Sequence, residues 1–110
     1  MLEKDIVNAI MKYLKTVPKT FVFKEHGNMY GTAGIPDLIA CIDGKFVAFE
    51  VKTPSGKLSK LQEVTIRKIK EANGKAYKVT SVEEVKQILE NLEGWSHDEK
   101  RFITALLSQS

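Results

Sequence analysis

Apolar residues recur every fourth position at the start of the chain. Leu2, Ile6, Ile10 and Leu14 mark one face, with Val7, Ala9 and Tyr13 beside them, and predict an amphipathic helix over residues 2–15. Pro18 ends it, because the residue before a proline is pushed out of the helical region. Phe21, Val22 and Phe23 then read as a short strand running on to Lys24 or Glu25. Residues 26–34 are a loop carrying three glycines. Pro36 opens a second strand, at a position where its missing N–H is tolerated, and Asp37 to Ile42 continue it. Asp43-Gly44 follows, and Lys45 to Lys52 form a third strand. Asp-Gly between two strand-like runs is a strong hairpin signal. After a turn at Thr53-Pro54-Ser55-Gly56, Ser59 caps a helix that reaches about Asn73, with Gly74 as its C-cap. Ala76 to Val79 form a fourth strand. Ser81 caps another helix, Glu84 completes a capping box, and Val82, Val85, Leu89 and Leu92 give the core face. Gly94 breaks that helix. Ser96 or His97 starts a last one, striped by Phe102, Ile103, Leu106 and Leu107.

The order α-β-β-β-α-β-α with an extra C-terminal helix implies an α/β fold, a mixed sheet flanked by helices. Leu38 to Ile42 and Phe46 to Phe49 are apolar at consecutive positions. Both faces of the hairpin are therefore expected to be covered, with helices on both sides. The lone cysteine, Cys41, reads as a buried small hydrophobe.

The hairpin also places chemistry. A two-residue turn at Asp43-Gly44 pairs Ile42 with Lys45, Leu38 with Phe49, and Asp37 with Glu50. Two carboxylates then stand opposite each other, with Cβ atoms about 4.5–5.5 Å apart. Lys52 projects to the same side as Glu50, because side chains alternate along a strand. Directly opposed like charges are destabilising and need a compensating positive charge. Lys52 is one source. A divalent cation is a better one, since Mg2+ is commonly held by one or two carboxylates with several waters retained. The Val51 carbonyl, between Glu50 and Lys52, is a candidate third oxygen ligand.

Length and charge narrow the function classes. The 110 residues make one domain with room for a core. One cysteine excludes an internal disulfide framework, and with two histidines it makes a structural zinc site untenable. No apolar run approaches the ~20 residues of a membrane span. The opening Met1-Leu2-Glu3-Lys4-Asp5 leads directly into the helical pattern, so no signal peptide and a cytoplasmic location are expected. Residues 1–80 carry 14 Lys/Arg against 8 Asp/Glu, whereas residues 81–110 carry 3 against 6. A basic body fits a polyanionic partner. Fifteen of the 17 basic residues are lysine, which favours contact with a phosphate backbone over bidentate base reading.

The residues Gly34-Ile35-Pro36-Asp37-Leu38, Phe49-Glu50-Val51-Lys52 and Gln62 resemble the PD-(D/E)xK nuclease superfamily, and more closely its virus-type replication-repair nuclease (VRR-NUC) domain. Phe23-Lys24-Glu25-His26-Gly27-Asn28 and the Ser59-Lys60-Leu61-Gln62 helix start are also similar to that family. The resemblance covers residues 1–93. It leaves 94–110 as a helical extension and possible dimer contact. It implies a restriction-endonuclease-like fold, similar to Holliday junction resolvases, and a homodimer. The implied activity is Mg2+- or Mn2+-dependent endonucleolytic hydrolysis of DNA, with branched DNA such as four-way junctions as substrate. By the same resemblance, Asp37 and Glu50 match the metal-binding acids, and Val51 the position whose carbonyl joins them. Lys52 matches the catalytic lysine, and Gln62 matches the glutamine of the following helix, a catalytic position expected to orient Lys52 or a water by hydrogen bonding. Glu3 matches an acid on the first helix that contributes to the metal, with Asp5 or Glu25 as alternatives. Lys24, His26, Asn28, Lys57 and Lys60 are the candidate DNA contacts. Two other functions compete: a catalytically silent DNA-binding module, and a sequence-specific restriction-type nuclease on linear duplex. For the second, 110 residues leave little room for a specificity domain.

Overall fold

The computed structural model describes residues 1–25 and 33–92. The elements are α1 (Glu3–Leu14), β1 (Thr20–Lys24), β2 (Leu38–Ile42), β3 (Lys45–Val51), α2 (Lys60–Glu71), β4 (Lys75–Val79) and α3 (Val82–Glu90). The predicted last helix lies outside the described residues, as do His26 and Asn28.

The four strands form one sheet in the order β1-β2-β3-β4. β1, β2 and β3 run antiparallel, and β4 returns parallel to β3 after α2. The β2–β3 register is the expected one, with Leu38 opposite Phe49 and Ile42 opposite Lys45. The turn carries it: Asp43 and Gly44 both have positive φ, 50° and 80°. That is the conformation a two-residue hairpin turn needs to match strand twist.

Alternation sorts the sheet into two unlike faces. Val22 of β1, Leu38, Ala40 and Ile42 of β2, Val47, Phe49 and Val51 of β3 and Val79 of β4 join one core. α1 contributes Ile6, Val7, Ile10 and Leu14 to it, and α3 contributes Val85 and Leu89. Burying a side chain of this size stabilises by about 1.5–3 kcal/mol, so this face holds the fold together. The other face carries α2, which packs against β4 and has no fully buried residue of its own. Ala48 and Ala76, paired in register, are the small buried residues of that face.

Four local readings change. Helices do not cover both faces of the whole hairpin: among the described residues, Phe21, Phe23 and Phe46 on the α2 side of the sheet stay 42–68% exposed. Cys41 belongs to that open face and is exposed, because it alternates with the buried Ala40 and Ile42. The end of α2 is also shifted. Asn73, not Gly74, takes the left-handed position with φ 68°. The Gly74 N–H donates to the Ile69 carbonyl at 2.9 Å and the Asn73 N–H to that of Lys70 at 3.0 Å, a Schellman ending. Gly74 is needed for closeness, since a β-carbon there would lie 2.8 Å from Ile69 Cγ2 and 3.2 Å from Phe46 Cδ1. At α3, the Ser81 hydroxyl accepts from the Glu84 N–H as expected. The Glu84 carboxylate reaches past Ser81 to accept from the N–H and hydroxyl of Thr80.

Candidate active site

Asp37 sits one residue before β2, where the β1–β2 ladder is closed by the Glu25 N–H donating to the Asp37 carbonyl at 2.8 Å. Its carboxylate turns to β3 and accepts from the Val51 N–H at 2.8 Å. This bond replaces the ladder partner that β2 no longer offers. In an extended strand, the N–H and C=O of one residue point the same way. The Val51 carbonyl therefore faces the Asp37 side. The opposite side of β3 is held to β4, where the Lys52 N–H donates to the Val79 carbonyl at 3.0 Å.

Glu50 is the one charged or polar residue of the described chain that is buried, at 2% exposure. Burial pushes its carboxyl up from 4.5 to about 9, helped by a shared hydrogen bond with Asp37 and by the charge of Asp37. The Lys52 ammonium pulls the other way, and Glu3 adds a further upward push. The opposed carboxylates thus meet with Lys52 close enough to act on Glu50, yet its charge does not outweigh burial and Asp37. One more positive charge is wanted at this place.

The donor set fits a hard cation. Asp37, Glu50 and the Val51 carbonyl offer oxygen alone, as Mg2+ prefers, with its remaining positions left for water. Among the described residues no cluster of three or more His, Cys, Asp or Glu side chains can hold a metal. Glu3 is close enough to raise the Glu50 pKa but does not complete a three-acid cluster.

The remaining candidates are spread around this centre. Gln62 lies at the start of α2, and its Oε1 accepts from the Ser59 N–H at 2.9 Å while the Ser59 hydroxyl accepts from the Gln62 N–H at 3.1 Å. Its carbonyl is thus spent on capping the helix. Lys57 and Lys60 are exposed beside that helix start. Lys24 pairs in register with Leu38, on the face opposite Glu50. Its ammonium donates to Asn8 Oδ1 of α1 at 3.4 Å. Sequence reasoning missed Lys78. It pairs with Glu50 across the parallel β3–β4 ladder, so it stands on the same face, and it is exposed. A helix and two turns separate the two residues in the chain, so no hairpin rule gives their register.

The VRR-NUC domain model matches residues 4–83. A solved structure described as a VRR_NUC domain superposes with a TM-score of 0.70 at 20% identity, covering 82% of this chain and 96% of that one. A VRR_NUC domain protein gives 0.67 at 18% identity, covering 82% and 86%. At these identities the likeness is one of fold. No curated protein matches the chain in sequence. With 80 of the 110 residues and the whole Asp37–Glu50–Lys52 constellation inside the matched stretch, the chain belongs to the VRR-NUC family of nuclease-type domains.

Proposed function

We propose that this protein is a metal-dependent DNA endonuclease, selective for branched DNA such as four-way junctions and acting as a homodimer. One observation carries the reading: a carboxylate pair at the end of the β2–β3 hairpin, with Glu50 2% exposed and driven towards its neutral form by burial and by Asp37. A fold keeps such a pair at a cost, and a bound Mg2+ or Mn2+ offsets that cost.

A phosphodiester is already an anion, so its hydrolysis needs an activated water and a sink for added negative charge. A divalent cation bound at this place would supply both, by acidifying a water and drawing charge from the phosphoryl oxygens. Asp37, Glu50 and the Val51 carbonyl would hold it. Lys52, beside the two carboxylates, acts as a positive charge that orients the attacking water or meets the charge developing on the phosphate. Lys57 and Lys60 extend positive charge along the approach to the site. Gln62 keeps the start of α2 in place through its capping bonds.

The test is cleavage of a labelled four-way junction and a matched linear duplex, with Mg2+ and with EDTA, by the parent and by Asp37→Asn. Metal-dependent cutting of the junction, lost in Asp37→Asn, is expected. Equal cutting of both substrates removes the junction selectivity. Binding without cutting in either metal moves the weight to a silent DNA-binding module. Sedimentation of a monomer at micromolar concentration removes the homodimer.

A further inference from the structure

Gly34 has φ of +85°, a backbone conformation that L side chains rarely adopt. It also stands against α2 with no room for a side chain. A β-carbon built there would lie 2.8 Å from Leu61 Cγ, 2.8 Å from Thr65 Oγ1 and 3.0 Å from the Leu61 carbonyl oxygen. Two of these three neighbours cannot easily yield. The carbonyl is helix backbone. The Thr65 hydroxyl is tied to that same carbonyl at 3.0 Å. The Leu61 side chain, 49% exposed, is the one free to swing.

The contact lies between two parts of the site. On one side, only two residues separate Gly34 from Asp37. Ile35 is half-buried, and Pro36 is buried and has a fixed φ, so the link is short and stiff. A shift of Gly34 is passed on to the carboxylate that meets the Val51 N–H. On the other side, Leu61 is followed by Gln62, whose side chain closes the start of α2. The seat thus sets the helix start and the acidic strand at one distance from each other.

We propose that Gly34 is a positioning residue for the Asp37–Glu50 centre: α2 rests on its bare backbone through Leu61 and Thr65, and that contact fixes Asp37 against β3. Its catalytic consequence rests on the nuclease reading above; its geometric consequence does not. The carboxylate–amide bond from Asp37 to Val51 is the natural reporter, since it needs neither metal nor DNA.

Two variants crowd the seat from opposite sides. Gly34→Ala adds the β-carbon and meets the backbone penalty as well. Thr65→Leu enlarges the helix side and leaves Gly34 untouched, so it decides the matter should Gly34→Ala fail to fold. Amide exchange is followed by NMR in metal-free protein, with Val51 compared against the interior amides of β3. Mn2+ affinity is measured by calorimetry, and cleavage kinetics of the four-way junction are run alongside. In both variants, Val51 exchange is expected to rise tenfold or more relative to its β3 neighbours, and Mn2+ binding to weaken. Turnover is expected to fall on the order of 10²-fold, the usual cost of misplacing a reacting group by about 1 Å, with little change in KM for DNA. Adding Leu61→Ala to Thr65→Leu should restore much of each by opening the crowded seat. Cleavage absent even in the parent protein would sink the nuclease reading while the Val51 and Mn2+ data still judged the seat. Val51 exchange that stays in step with the rest of β3 in folded Thr65→Leu would overturn the proposal.

Discussion

Glu50→Gln is expected to stabilise the metal-free protein at neutral pH while abolishing its response to metal. Glu50 titrates near 9 in the fold and near 4.5 as an unperturbed carboxyl. A carboxyl whose pKa is raised by folding contributes its stability in full below the unfolded value, and loses it as pH rises towards the folded value. Between these limits the unfolded state is ionised and the folded state holds a proton. Each pH unit then costs about 1.4 kcal/mol. At pH 7 the accumulated cost is at most about 3 kcal/mol, because water entering the site screens part of it. Glutamine copies the protonated acid in shape and still donates to Asp37, but it has no proton to lose. The variant should therefore match the parent at pH 4.5 and exceed it by up to about 3 kcal/mol at pH 7, a rise of roughly 10 °C in Tm for a domain of this size. The assay is urea unfolding in EDTA from pH 4.5 to 8, on both proteins, repeated with excess Mn2+. Metal should stabilise the parent and not Glu50→Gln. In the parent, apparent metal affinity should climb about tenfold per pH unit below 9, because binding expels the Glu50 proton. Parallel stability curves for the two proteins across that range would refute the reasoning.

Three further outcomes follow from the same geometry. Lys52→Ala should fold and bind Mn2+ normally but lose about 10²–10³ in turnover, as loss of one transition-state donor does; full turnover would remove Lys52 from the chemistry. Lys78→Ala, which empties the exposed neighbour of Glu50, should weaken DNA binding evenly across sequences and flatten the salt slope by about one, with turnover at saturation unchanged. Gln62→Ala should lower stability by about 1 kcal/mol through the lost helix cap; a turnover deficit at saturating metal would show that its amide also acts at the site.

The local pattern along this chain determined a good deal by itself. Period-four spacing from Ile6 to Leu14 gave α1 its buried face, and Asp43-Gly44 gave the hairpin its turn and register. Such features depend on residues a few positions apart, where backbone geometry alone dictates who meets whom. The opposition of Asp37 and Glu50 was legible for that reason, since it is hairpin arithmetic. What tertiary structure decided involves residues brought together by long connections. The parallel return of β4 put Lys78 beside Glu50, and the packing of α2 made Gly34 a seat. The unequal covering of the two sheet faces left Cys41 exposed, although its neighbours in sequence are apolar. Burial decided the chemistry as well. A Glu-x-Lys triplet states which groups are present, but the raised pKa of Glu50 comes from the removal of water and the nearness of Asp37, and both exist only once the strands have paired.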